Sequence, residues 1–145
     1  MRKTFNILFG VCIMLCVQNV SSQDVFGNWK TIDDRTGLPK GLIKIYKDGG
    51  IMYGIILKIL EEGSEEAVCD KCKGDNKDMP IVGMQVLDGL VKSNNEVWKG
   101  GTLFDPEQAM TFRCKIWLNP DNPNELMVRG YLAFFYRTQT WIRSK

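Results

Sequence analysis

The chain is predicted to be all-β, a small closed antiparallel up-and-down barrel of about eight strands with one long cysteine-containing connection. Three observations predict it. Short runs rich in Ile, Val, Leu, Phe, Tyr and Trp recur along the sequence, separated by Gly, Asn, Asp and Pro clusters, which is the spacing of a β-meander. A Gly27-Asn28-Trp29 step opens the first run, and Thr140-Trp141-Ile142-Arg143 closes the last. In a closed barrel the first and last strands are neighbours, so the Trp29 ring is expected to plug one end with the Arg143 guanidinium over its face.

Residues 1–22 are expected to be an export signal. Arg2 and Lys3 form a charged start, Phe5 to Val17 is an apolar stretch too short for a stable membrane span, and Val20-Ser21-Ser22 offers small residues for cleavage. Removal leaves one barrel domain over 23–145, periplasmic or secreted, with no membrane span. The chain carries 19 Lys+Arg and 17 Asp+Glu, and Arg2 and Lys3 leave with the signal, so the remainder is balanced. Balanced, interspersed charge provides no field to attract nucleic acid or anionic lipid.

Strands are expected at 26–33, 40–47, 51–60, 84–92, 96–104, 110–118, 125–133 and 137–143. The first holds the Gly-x-Trp step. Asp48-Gly49-Gly50 is the turn between the second and third. In the third, the odd positions Ile51, Tyr53, Ile55, Leu57 and Ile59 are all apolar, and Ile56 and Leu60 make the second face apolar too, so its outer side needs a cover. Ser93-Asn94-Asn95 separates the fourth from the fifth, and Asp105-Pro106-Glu107 the fifth from the sixth. The sixth has the cleanest alternation, with Met110, Phe112, Cys114, Ile116 and Leu118 on one face against Thr111, Arg113 and Lys115. After Asn119-Pro120-Asp121-Asn122-Pro123 comes the seventh strand. Phe134-Phe135-Tyr136 then puts three aromatics in succession, at least one of which faces outward in an extended segment. Flanked by Arg129 and Arg137, they are a candidate pocket mouth or partner surface.

The connection over 61–80 differs from the rest, with Glu61, Glu62, Glu65 and Glu66 followed by Cys69-x-x-Cys72. So long a connection in a small domain is usually functional or a cap. Cys69, Cys72 and Cys114 are the cysteines outside the signal, and in an oxidising compartment two of the three pair. A Cys72–Cys114 bridge would close the longer loop and contribute about 4 kcal/mol, against about 2 kcal/mol for Cys69–Cys72. Cys114 lies on the inward face of its strand, which favours the local pair and leaves Cys114 as a buried hydrophobe.

The runs Gly27-Asn28-Trp29-Lys30-Thr31, Tyr53-Gly54, Cys69-x-x-Cys72-Lys73-Gly74, Pro80-Ile81-Val82-Gly83-Met84, Trp98-x-Gly100-Gly101, Asp105-Pro106, Val128-Arg129-Gly130-Tyr131 and Arg137-Thr138-Gln139-Thr140-Trp141 together resemble the bacterial exported family catalogued as domain of unknown function 2147. The resemblance spans essentially all of 23–145. It implies an envelope or secreted protein with a small lipocalin-like barrel, and it implies no assigned activity.

Chemistry is excluded largely by inventory. The chain has 0 His, which removes the common general base and the His-containing triads. Ser64, Ser93 and Ser144 lack a nucleophile-elbow context, and Gly49-Gly50 and Gly100-Gly101 lack a phosphate-cradling pattern. Asp88 and Asp105 are the acids to watch for convergence. For Cys69 and Cys72, Asp70 and the four upstream glutamates oppose a lowered thiol pKa, and three thiols without histidine leave a zinc set incomplete. No cofactor, metal or catalytic residue is expected. The expected function is non-enzymatic binding of a small apolar or amphipathic molecule, with Tyr53, Trp98, Phe112 and Tyr131 as candidate lining and 61–80 as a lid. The alternatives are an envelope protein-interaction module with a solid barrel, and a redox or metal-handling protein acting through Cys69 and Cys72.

Overall fold

Alternating apolar strands joined by short turns can bury their inner face by curling round until the edges meet, and this chain does so. The computed structural model describes residues 23–145, and the expected export signal over 1–22 lies outside the described residues. The strands are β1 (Gly27–Ile32), β2 (Pro39–Asp48), β3 (Ile51–Ile59), β4 (Gln85–Lys92), β5 (Trp98–Asp105), β6 (Met110–Asn119), β7 (Asn122–Leu132) and β8 (Phe135–Arg143). Each pairs antiparallel with the next, and β8 returns to β1 through Trp29 opposite Arg143 and Lys30 opposite Ile142, closing the barrel. A single 3-10 turn, Gly74–Asn76, interrupts the long connection. Among the described residues no helix is long and apolar enough to cross a membrane.

The interior divides into a packed half and an open half. At the packed end Trp29, Ile45, Met52, Leu90, Ile116 and Leu126 are fully buried. The Trp29 indole Nε1 donates to the carbonyl of Val25 at 2.9 Å, and the Arg143 guanidinium carbon stands 4.2 Å from the Trp29 ring centroid. The Arg143 terminal nitrogens donate to the carbonyls of Asp24, Phe26 and Pro123, tying the entry segment and the start of β7 to the last strand.

The phase of β3 differs from the expected one. Met52, Gly54 and Ile56 point inward and are buried, whereas Tyr53 faces out with its ring 5.8 Å from that of Tyr46. Apolar residues on both faces leave the parity of a strand undecided in sequence, and the neighbour decides it. Leu87 on β4 approaches so closely that a Cβ at position 54 would lie 2.9 Å from its Cδ1, so only the glycine fits inward. A register shift between Leu42 and Ile43 then swaps the phase, and Ile59 turns inward at the open end.

Cys69 and Cys72 are joined by a disulfide, and Cys114 is a free, buried thiol. Burial pushes the Cys114 pKa up from 9.0 to about 12. Alkylation of protein beginning at residue 23, near pH 8 and without reductant, is therefore expected to label nothing, and unfolding is expected to release one reactive thiol, located at Cys114 by peptide mass mapping. Labelling of the folded protein would place the thiol outside the core.

Candidate ligand-binding site

The open half of the barrel holds a cavity of about 850 Å³. Its floor is the top of the packed core, with Ile43, Val128 and the Trp141 ring, and its walls are Ile56, Leu103 and Phe112. The inward rows explain this lining. Counting in twos back from Arg143, β8 presents Trp141, Gln139 and Arg137 to the interior, and Phe135 ends the row at the lip, where it is largely exposed. From Ile116 and Cys114, β6 reaches Phe112 by the same step. Gln139 is the polar group deepest in the wall, and its Oε1 accepts from the Trp141 indole Nε1 at 3.3 Å.

Charge is confined to the rim. Lys40 at the start of β2 donates to Glu107 in the β5–β6 turn at 2.6 Å, which joins two elements far apart in sequence. Arg137 pairs with Asp34 in the β1–β2 loop. That loop is held by Asp33, whose Oδ1 accepts from the backbone N–H of Arg35 at 2.7 Å and of Thr36 at 3.3 Å. The Arg35 backbone bond is the main reason that the Asp33 carboxyl titrates below its ordinary value. These rim pairs are solvent-exposed, so they fix loop positions more than they add stability.

The 61–80 connection lies against the mouth rather than along the outer side of β3. Ala67, Val68, Asp70 and Lys71 line the cavity, and Val68 pairs with Pro80 in a short bridge. Its disulfide is buried, with the Cys69 sulfur 3.3 Å from the carbonyl oxygen of Pro106 in the β5–β6 turn. The bridge closes a tight loop within the flap, and its sulfurs pack against the rim, away from solvent and from any incoming thiolate.

Of the four expected lining aromatics, the structure brings Phe112 to the cavity and places the other three elsewhere. Trp98 is buried in the packed half, with its ring edge-on to Phe26 at 5.3 Å. Tyr53 and Tyr131 face outward, Tyr131 with its ring 6.0 Å from Tyr136. Their positions follow from strand parity, which aromatic character alone does not report. Gln139, Arg137 and Trp141 were the missed lining, and the signal for them was present: an inward Arg143 commits every second residue of its strand. Asp88 and Asp105 do not converge. Asp88 pairs in register with Thr102 on the outer face, whereas Asp105 sits at the rim and caps its own turn through the Glu107 backbone N–H and the Gln108 amide.

A family model described as "Uncharacterized protein conserved in bacteria (DUF2147)" matches residues 27–143, from the first residue of β1 to the last of β8. The chain belongs to that family. This DUF2147 barrel also superposes on a solved structure titled as protein HP1028 from Helicobacter pylori, belonging to the lipocalin family. The TM-score is 0.71 with 16% identity, over 84% of each chain. At that identity the likeness establishes a lipocalin-like fold. No curated protein matches the chain.

Proposed function

We propose that this DUF2147 protein is an exported, non-enzymatic carrier that holds a small apolar or amphipathic molecule in the open half of its barrel. The observation that carries the reading is the cavity of about 850 Å³, an apolar floor and wall beneath a charged rim, which falls within the size range of small-molecule sites. Gln139 supplies a polar anchor within reach of a ligand resting on Trp141. The rim charges of Lys40, Lys71 and Arg137 suit a ligand whose polar end stays at the mouth. A solid-barrel structural module is supported less, because the interior is filled only at its Trp29 end. Redox work through Cys69 and Cys72 is supported less as well, since both sulfurs are buried against the rim.

Leu103→Trp is expected to fill the cavity and weaken binding of the apolar dye N-phenylnaphthylamine at least tenfold, as the indole takes space now open rather than overpacking the core. Native mass spectrometry of protein from its own host is expected to reveal a lipophilic adduct, lost in the same variant. A protein that binds no dye and carries no adduct is not a carrier.

A further inference from the structure

The outer wall of β5 to β8 carries an arrangement that the cavity does not use. Strand register places Lys99, Lys115 and Arg129 directly opposite one another in a cross-strand row, and Arg113, Tyr131 and Tyr136 in the next row toward the mouth. Like charges directly opposite each other across strands destabilise a sheet. Among the described residues none of these four cations makes an ion pair, although pairs form elsewhere on the surface. Three of them lie over aromatic rings instead: Arg129 is 4.4 Å from the Tyr136 centroid and 5.2 Å from that of Trp117, Lys115 is 5.0 Å from Trp117, and Arg113 is 5.9 Å from Tyr131. The one outward carboxylate of β6 to β8, Glu125, sits at the far end of β7, accepting from the Asn119 amide. The wall from β5 to β8 is therefore cationic, and at its β4 edge Asp88 is the outward carboxylate in the row of Thr102 and Arg113.

Directly above it, the β7–β8 turn projects apolar side chains. Phe134 is 97% exposed and Phe135 77%, with Leu132 beside them, and Ala133 takes a positive φ of 51° that drives the tight reversal. From the tip downward the order is apolar, then tyrosine with Arg113, then a row of Lys and Arg one pleat repeat, roughly 7 Å, further on. That is the order of environments in one leaflet of a bilayer, from acyl chains through the interface to the headgroup phosphates.

We propose that this face docks the barrel, mouth foremost, on an anionic phospholipid bilayer, with Phe134 and Phe135 entering the acyl boundary and Arg113, Lys115 and Arg129 meeting lipid phosphates. A soluble polyanion would use the cations and leave the two phenylalanines in water, so the lipid surface accounts for both halves of the face. The docked orientation also sets the cavity rim, shared with Phe135 and Leu132, against the membrane.

The test uses processed protein recovered from the exporting cell and checked for a common N-terminus, so that differences between variants report only on the barrel. Flotation is expected to show binding to vesicles of phosphatidylglycerol with phosphatidylethanolamine and not to vesicles of phosphatidylcholine. The triple variant R113Q/K115Q/R129Q is expected to bind on the order of a hundredfold more weakly, about fivefold per cation. The turn variant F134S/F135S, altered only at exposed positions, is expected to lose at least tenfold while keeping the salt dependence of the wild type. Equal binding to both vesicle types, no binding to either, or a triple variant that binds as wild type overturns the proposal. So does tighter binding to heparin than to vesicles with the turn variant unaffected, which would assign the wall to a soluble polyanion.

Discussion

Gly101→Ala is expected to cost more than about 4 kcal/mol or to prevent folding altogether. A Cβ built at Gly101 lies 2.2 Å from the carbonyl oxygen of Asp88, 2.5 Å from the Leu90 nitrogen and 2.6 Å from the Gly89 carbonyl carbon. All three neighbours are backbone, so no rotamer change relieves the clash and β4 must move away from β5. That movement would open the wall beside Leu90, which is fully buried. The comparison is Gly49→Ala, at a turn glycine with φ of +56° and no atom within 4 Å, where the cost is limited to the left-handed backbone, about 1–2 kcal/mol. Urea unfolding of the two variants separates these outcomes. A Gly101→Ala midpoint close to that of the wild type would mean that β4 and β5 do not approach as described.

Trp29→Ala is expected to lower stability by about 3–5 kcal/mol and the Tm by on the order of 10–20 °C. The side chain is fully buried, its indole bond to Val25 is lost, and the Arg143 guanidinium loses the ring beneath it. The cation–π part of that cost is about 0.5–2 kcal/mol and is separable in a double-mutant cycle with Arg143→Met. Dye binding by the fraction that remains folded is expected to be unchanged, because Trp29 does not line the cavity at the other end. An unaltered melting temperature would show that the packed end does not rest on this indole.

Much of the barrel is legible in the chain because its cues are local. Turn clusters such as Asp48-Gly49-Gly50 and the clean alternation of 110–118 place the breaks and the inward face of β6 without reference to any neighbour. Strand ends shift by small amounts, most at β7, which starts at Asn122 because the turn after Asn119 is tighter than its two prolines suggest. The parity of β3 was not legible. Both of its faces are apolar, and the choice rests on a close approach of Leu87 and a register shift against β2. Tyr53 consequently stands outside, and Trp98 and Tyr131 lie away from the cavity for equally non-local reasons. The lining polar groups Gln139 and Arg137 were within reach of the same alternation rule, applied from Arg143 backwards.

Charge divides the same way between local and spatial information. Summed along residues 23–145, positive and negative side chains balance, and that total alone promises no attraction to an anionic surface. Folding sorts them: Lys40 and Arg137 pair with carboxylates at the rim, while Lys99, Arg113, Lys115 and Arg129 come together on one wall. By itself the sequence determined the class of fold, its strand number, the Trp29 and Arg143 closure and the exclusion of histidine chemistry, because periodicity, turn residues and composition are properties of neighbouring positions. Only the tertiary structure decided which half of the barrel stays hollow, where the 61–80 flap rests and which cations share a face. Those depend on register between strands distant in the chain, and register is set by contacts that no single strand contains.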